Sequence, residues 1–401
     1  MPDASGASLP EVGAPALLVR TGSPIWDYGA LATARTLGRW GIPVYVLAAE
    51  RETELLQSRY VTARVADPLP ADEGHAEVLN GIAARIGTRC VVLAGDDESA
   101  VTLAQSRDDL DPRLLTFPVP PTLPLQLSDK VRLGTLAAQA GIGYPRWIHT
   151  ADRQRLRAFV ADVGLPVIAK SPAPYSRLAD QTVPHTTLIH DQARLAGLLA
   201  AAESGQSIFL QEFLAGDGEF WYAAGVVARA ETDAIVWTGR KYMAHPSDTG
   251  IGIVNVARPA SDLVELMRRT CQAVGYVGPF DSDWVRDHAT RQWRLIDFNP
   301  RRGAQFRLFT TTTGLDVVRA SHLALTGRRV DPGEQIMDRV QVVENLAIRH
   351  GWSARPRRYA PGATVEYAWW AADDIGPATA MAGQVAAAGA RRVMPGRRGR
   401  S

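Results

Sequence analysis

Short β-rich runs alternate with helix-like segments over the first third of the 401-residue chain, and no other feature constrains its fold as tightly. Ala16–Val19, Val44–Ala48, Val61–Val65 and Cys90–Ala94 read as strands. Ala30–Trp40, Glu77–Ile86 and Glu98–Gln105 read as helices between them. Strands separated by helical crossovers pair in parallel, so a doubly wound parallel sheet is expected here. The first strand runs into Thr21-Gly22-Ser23-Pro24 and then a helix, where backbone N–H groups could face an anion. The Gly-x-Gly-x-x-Gly spacing of a dinucleotide site is absent, and a plain strand-to-helix turn suits these residues equally.

The proline-rich stretch from Leu110 to Pro124 interrupts the alternation and marks a first boundary. A helix then begins near Ser128 or Asp129, and a second from about Asp152 to Val163 precedes the apolar strand Pro166–Lys170. From Ser207 the runs become longer and look antiparallel: Ser207–Glu212, Glu219–Arg229, Ala234–Tyr242 and Gly252–Ala257. After a helix over Ser261–Ala273, Gly278–Arg286 and Gln292–Asn299 form an expected hairpin across Asp287-His288-Ala289-Thr290-Arg291. Beyond Val330 lie Tyr367-Ala368-Trp369-Trp370-Ala371 and a helix-like run from Pro377 to Ala388.

Composition excludes several classes. Apolar residues at 46% and charged residues at 21% suit a soluble globular protein, and no stretch has the ~18 apolar residues of a membrane helix. Without a secretory leader, and with Cys90 and Cys271 reading as buried thiols, a cytoplasmic location is expected. The net charge of +2 conceals five arginines in residues 391–401; without them residues 1–390 carry −3. A solvated basic end fits this tail better than a nucleic-acid contact.

The hairpin carries the chemistry. Asp281 and Asp283 alternate on one strand and share a face, as do Asp297 and Asn299 on the next. Pairing would gather an oxygen-rich patch suited to Mg²⁺ bound together with phosphates, while Trp284, Leu295 and Phe298 face a core. A solvent-facing polar strand is the plainer alternative. Arg301 and Arg302 follow at once, as cations able to hold oxyanions in bidentate fashion. Lys130 opens a helix and Lys170 closes an apolar strand; each alone suits a surface lysine, and together they suit two clamps on a polyphosphate. Gln211-Glu212-Phe213-Leu214 could offer backbone groups to an adenine edge, with Glu219 near the ribose, and taken alone it equally reads as plain strand, turn and strand. Trp221, Tyr222, Trp237 and Tyr242 read either as pocket liners or as core aromatics, and His245 as a candidate base near Arg240 and Lys241.

The order Ser128-Asp129-Lys130, Val167-Ile168-Ala169-Lys170, Gln211 to Leu214 with Glu219, Asp283-Trp284, and Ile296-Asp297-Phe298-Asn299-Pro300-Arg301 resembles the ATP-grasp superfamily. Within it the chain looks like the carboxylate–amine ligase branch that includes D-aspartate ligase-like proteins, over about residues 15–330. The resemblance implies an α/β ATP-grasp fold: a Rossmann-like domain over 15–124, a small lid subdomain over 125–206 and a larger antiparallel-sheet subdomain over 207–330. Residues 331–390 would be an extension packed on the core, and 1–14 and 391–401 disordered ends.

By the same resemblance, the cofactors would be ATP and Mg²⁺, with Mn²⁺ as a substitute. Lys130, Lys170 and Ser176 would contact phosphates, Gln211, Glu212, Phe213 and Leu214 would frame adenine, and Glu219 would bind ribose. Asp283, Asp297 and Asn299 would ligate the metal, with Arg301, Lys170, Arg240 and Lys241 as catalytic residues. Two departures stand out: the metal carboxylates are aspartates where the family usually has glutamate, and the loop after Lys170 has no glycine. The implied reaction makes an acyl-phosphate from a small carboxylate and couples it to an amine, forming an amide. The partners are then small-molecule substrates, with no nucleic acid or membrane, and a homodimer is allowed. The alternatives are a carboxylase or kinase on the same fold, or a non-catalytic nucleotide-binding regulator.

Overall fold

In a computed structural model, the chain is described except for residues 1–12, 23–26, 71–73, 172–185, 215–218, 351–354, 394–401 and single positions 231, 233, 248, 289, 338 and 349. Ser176, expected to contact phosphate, therefore lies outside the described residues, as does most of the expected N-terminal tail.

The N-terminal layer comprises β1 (Ala16–Val19), α1 (Tyr28–Arg39), β2 (Val44–Leu47), α2 (Thr53–Leu56), β3 (Ala63–Ala66), α3 (His75–Ile86), β4 (Cys90–Ala94), α4 (Asp97–Gln105) and β5 (Leu114–Leu115). All five strands pair in parallel in the order β3-β2-β1-β4-β5, as helical crossovers require. β1 is apolar throughout and fully buried because helices cover both faces of such a sheet. Helix α4 begins where it does because Asp96 and Ser99 close a capping box.

Pro124 does not simply break the chain. It sits in the first turn of α5 (Leu123–Ser128), where its missing N–H costs no hydrogen bond. Asp129 then caps α6 (Lys130–Gln139), accepting from Val131 N and Arg132 N. A compact unit follows: β6 (Trp147–Thr150), α7 (Arg153–Val163), β7 (Val167–Lys170), β8 (Thr187–Ile189), α8 (Gln192–Glu203) and β9 (Ile208–Glu212). Its antiparallel sheet runs β6-β9-β7-β8 and has its own core, including Leu156, Val167, Leu199 and Leu210.

The third sheet is built from β10 (Phe220–Val227), β11 (Ile235–His245), β12 (Ile251–Ala257), then after α9 (Ser261–Val274), β13 (Gly278–Arg286) and β14 (Trp293–Asn299). Helix α10 (Val317–Leu325), β15 (Arg339–Val342), α11 (Glu344–Ala347), β16 (Thr364–Tyr367) and α12 (Gly376–Val393) complete the chain. The strand order is β14-β13-β10-β11-β12-β15-β16, with only the last pair parallel. The segment after residue 330 thus adds two strands to the sheet rather than only packing on it. Helix α12 also continues to Val393, into the stretch expected to be disordered. One core cluster joins the parallel sheet to this larger one, with Leu31, Val44, Val226, Trp284, Phe298 and Trp369 all buried in it. No described helix is long and apolar enough to cross a membrane.

Candidate active site

Residues from all three sheets converge on one cavity of about 740 Å³. The register of the β13–β14 hairpin sets its floor. Asp281 pairs with Asn299 and Asp283 with Asp297, so all four polar side chains line the cavity. Ser282, Trp284, Leu295 and Phe298 are buried in the core instead. A bulge after Asp283 leaves Ile296 as an extra residue on β14.

The carboxylates stand in different settings. Asp297 forms an ion pair with Lys130 at the start of α6. Burial raises its pKa, but Lys130 and Lys170 outweigh burial and hold it below the usual range. The Oδ1 of Asp283 is buried without a hydrogen bond, although the Lys241 ammonium lies 3.4 Å away. Asp281 accepts from Gln305 Nε2 at 2.8 Å and from Asn299 Nδ2 at 3.4 Å. Burial and the neighbouring Asp283 charge push its pKa up to about 7. Its packing is close: a Cβ on Gly303 would lie 2.5 Å from the Asp281 carboxyl carbon, so any side chain there would drive the carboxylate out of place.

Cations surround this floor. Lys170 ends β7 and is buried, which lowers its pKa to about 8 despite the attraction of Asp297 and Asp283. Lys241 lies 5.1 Å from the Tyr222 ring centroid, and Arg301 donates to Asn299 Oδ1 at 3.3 Å. Arg301 is held from the other side by Asp97, at the start of α4, through a 3.0 Å contact.

Asp283 and Asp297, with the Asn299 carboxamide, fit a divalent cation that completes its coordination with phosphate oxygens and water. The unpartnered Asp283 oxygen is the observation that supports this fit. Among the described residues, no group of three or more His, Cys, Asp or Glu side chains is arranged to hold a metal ion unaided.

Of the residues singled out in the sequence, Lys170, Gln211, Glu212, Phe213, Leu214, Lys241, Asp283, Asp297, Asn299 and Arg301 line the cavity. Lys130, which reaches the site through its ion pair with Asp297, is not among them, and neither are Glu219 and Arg240. They face each other across β10 and β11 at 3.9 Å, and Arg240 stacks on Tyr242 at 4.9 Å, because alternate residues of β11 point to opposite faces. Tyr222 and His245 line the cavity, whereas Trp237 is core and Trp221 packs edge-on against Trp293 at 5.7 Å. The N–H groups of Thr21 and Gly22 do face an anion, but it is the protein's own Asp96, at 3.0 and 3.1 Å. Arg20, Asp96 and Asp97 went unnoticed in the sequence; the one signal for them is their position at the carboxyl ends of β1 and β4.

No family model and no curated protein matches the chain. Solved structures do. An N5-carboxyaminoimidazole synthetase from Staphylococcus aureus complexed with ADP matches with a TM-score of 0.60 at 14% identity, covering 82% of this chain and 80% of that one. A carboxyaminoimidazole ribonucleotide synthase from Aspergillus clavatus complexed with ATP matches at 0.59 and 14%, again over 82% and 80%. The biotin carboxylase domain of 2-oxoglutarate carboxylase from Hydrogenobacter thermophilus, a dimer with MgADP and bicarbonate, matches at 0.58 and 14% over 79% and 71%. Two of these neighbours are named for making a carboxyaminoimidazole and the third is named a carboxylase domain; none is named as a carboxylate–amine ligase, and this corrects the expected ligase with amide bond formation. At such identities the likeness is one of architecture, and the chain has an ATP-grasp-like α/β fold.

Proposed function

We propose that this cavity binds ATP with Mg²⁺ and that the chain is an ATP-dependent carboxylase, activating bicarbonate and delivering its carboxyl group to a small acceptor. The observation that carries the reading is the Asp283–Asp297–Asn299 patch facing Lys170, Lys241 and Arg301 in one cavity, on a fold shared with carboxylases. Residues Gln211 to Leu214 border the adenine, and the buried Lys170 neutralises phosphate oxygens. Asp283, Asp297 and Asn299 would hold the metal, whose charge would offset that of the phosphates.

In this reading a bicarbonate oxygen bonds to the γ-phosphorus as the bridging β–γ P–O bond breaks and ADP leaves. A nucleophilic atom of the acceptor then bonds to the carbon of the mixed anhydride. The C–O bond to phosphorus breaks, and the departing phosphate takes the acceptor's proton. Lys170 and Arg301 bear on the γ-phosphoryl oxygens where charge builds up. With MgATP and no acceptor, slow ADP formation is expected that depends on bicarbonate. ADP formation indifferent to bicarbonate but driven by an amino-acid carboxylate would sink the proposal.

Lys170 gives this reading a pH signature. A phosphate beside it holds the proton, so MgADP affinity should be flat below pH ~8 and fall by up to about tenfold per unit above it. The free protein should respond in the opposite sense. Because the folded pKa lies below the ordinary 10.5, the unfolded chain binds more protons between about 8 and 10.5, and stability contributed by this group rises with pH across that window. Calorimetric titration of MgADP at several pH values checks the first claim. Lys170→Arg should abolish the break, since guanidinium stays charged.

A further inference from the structure

Past Arg301 the cavity reaches the carboxyl ends of β1 and β4, where Arg20, Asp27, Tyr28, Gly95, Asp96 and Arg302 line it. These two strands are paired neighbours from which the chain winds in opposite directions, to β2 and β3 on one side and β5 on the other. Open α/β sheets bind small molecules in the crevice outside such a switch point.

Charged groups crowd this end, and nearly all are spoken for. Asp96 accepts from Thr21, Gly22 and Ser99. Glu52 pairs with Arg20, and Asp27 caps α1 through Ala30 N at 2.8 Å while lying 3.3 Å from Arg20. Asp97 holds Arg301. Among the described residues Arg302 is what remains, its guanidinium carbon 6.0 Å from the Phe306 ring centroid. It is 3% exposed, and its Nε and Nη2 are buried without a hydrogen-bond partner. Burial lowers its pKa to about 10; Asp27 opposes the fall, and Arg301 and Arg20 add to it. The space is kept for it as well: a Cβ on Gly29, in the first turn of α1, would lie 2.7 Å from Arg302 Nη1. A desolvated cation with free donors is costly to fold around, so its counter-charge is expected from outside the chain.

We infer that Arg302 is an anion subsite that takes a carboxylate or phosphate group of the acceptor at the parallel-sheet end of the cavity. Its guanidinium fork is matched to either oxyanion. The inference rests on the proposed carboxylase reading only for naming the acceptor as the bearer of that group.

The test uses the full chain with Mg²⁺ and a non-hydrolysable ATP analogue in place, so that the nucleotide end is filled. Inorganic phosphate is titrated calorimetrically in one arm and acetate in the other; the anion that binds tells a phosphate ester from a carboxylic acid. Arg302→Gln should weaken that binding by at least about tenfold and leave analogue affinity within about twofold. Should glutamine fail to fold, Arg302→Lys, which keeps the charge but loses the fork, should still weaken it. Arg302→Met in the free protein should hold or raise the unfolding temperature, where a structural arginine would lower it. Wild-type protein that binds neither anion, a variant that binds as wild type does, or a lowered unfolding temperature for the methionine variant overturns the inference. If the analogue itself does not bind, the carboxylase reading fails, and the same titrations on nucleotide-free protein still decide the role of Arg302.

Discussion

Asp297→Asn is expected to lower bicarbonate-dependent ADP formation by about 10²–10³-fold with the fold intact. The side chains are nearly isosteric, so the loss is one of charge. Asp297 carries the ion pair with Lys130, lies beside Lys170, and faces Asp283 across the hairpin. Removing its charge takes one of two carboxylates from the proposed metal site and leaves both lysines without their shared counter-ion. Asp281→Asn is the control: its carboxylate is engaged with Gln305 and Asn299, so its loss should cost less. Steady-state ADP release for the two variants decides it. An Asp297→Asn enzyme with ordinary turnover would remove the metal patch from the mechanism.

Much of the fold was legible because local sequence and tertiary context agree. Ala16–Val19 and Cys90–Ala94 are short apolar runs between polar turns, and each forms a strand within those bounds. Period-two alternation placed Asp281, Asp283, Asp297 and Asn299 on shared faces, and the observed register pairs them. Non-local features were not legible. Thr364–Tyr367 pairs in parallel with Arg339–Val342, a choice dictated by the exposed edge of β15 and not by its own four residues. Asp97 and Arg301 meet across 204 positions of sequence, which no spacing rule reaches. Sequence likewise separated Glu219 from Arg240, yet they face one another away from the cavity.

The error over the acceptor has a physical origin. Residues that would hold phosphates and metal lie on the central hairpin and the compact second sheet, where strand patterns expose them to sequence reasoning. The end of the cavity where the acceptor is proposed to bind is walled by Arg20, Asp27, Asp96 and Arg302, whose convergence depends on how the parallel sheet packs on the larger one. Chemistry at the phosphate end is common to ligases and carboxylases and does not choose between them. The carboxylase reading is a proposal that follows the names of the structural neighbours, whose likeness at 14% identity is one of fold.

Asp374→Ala should destabilise the protein by about 3–5 kcal/mol, because it leaves a buried arginine unpaired. Asp374 Oδ2 accepts from Arg35 Nε at 2.9 Å and from Ser58 Oγ at 2.7 Å, and Oδ1 accepts from Arg59 N at 2.9 Å. Both members of the Arg35–Asp374 pair are almost wholly buried, with side chains 5% and 2% exposed. Arg35 also donates to the Trp369 and Asp374 carbonyls at 2.7 and 2.9 Å, so helix α1, the loop after α2 and the segment before α12 meet on one buried ion pair. The adjacent Asp373 provides the contrast. It binds Arg39 and the Tyr60 hydroxyl at 2.8 and 2.6 Å but is 42% exposed, and Asp373→Ala should cost no more than about 1 kcal/mol. Replacing Arg35 and Asp374 together by leucine should recover part of the loss, since apolar side chains carry no desolvation penalty. Urea denaturation of the three variants measures the order. If Asp373→Ala costs as much as Asp374→Ala, burial of the pair is not what fastens the C-terminal segment to the parallel sheet.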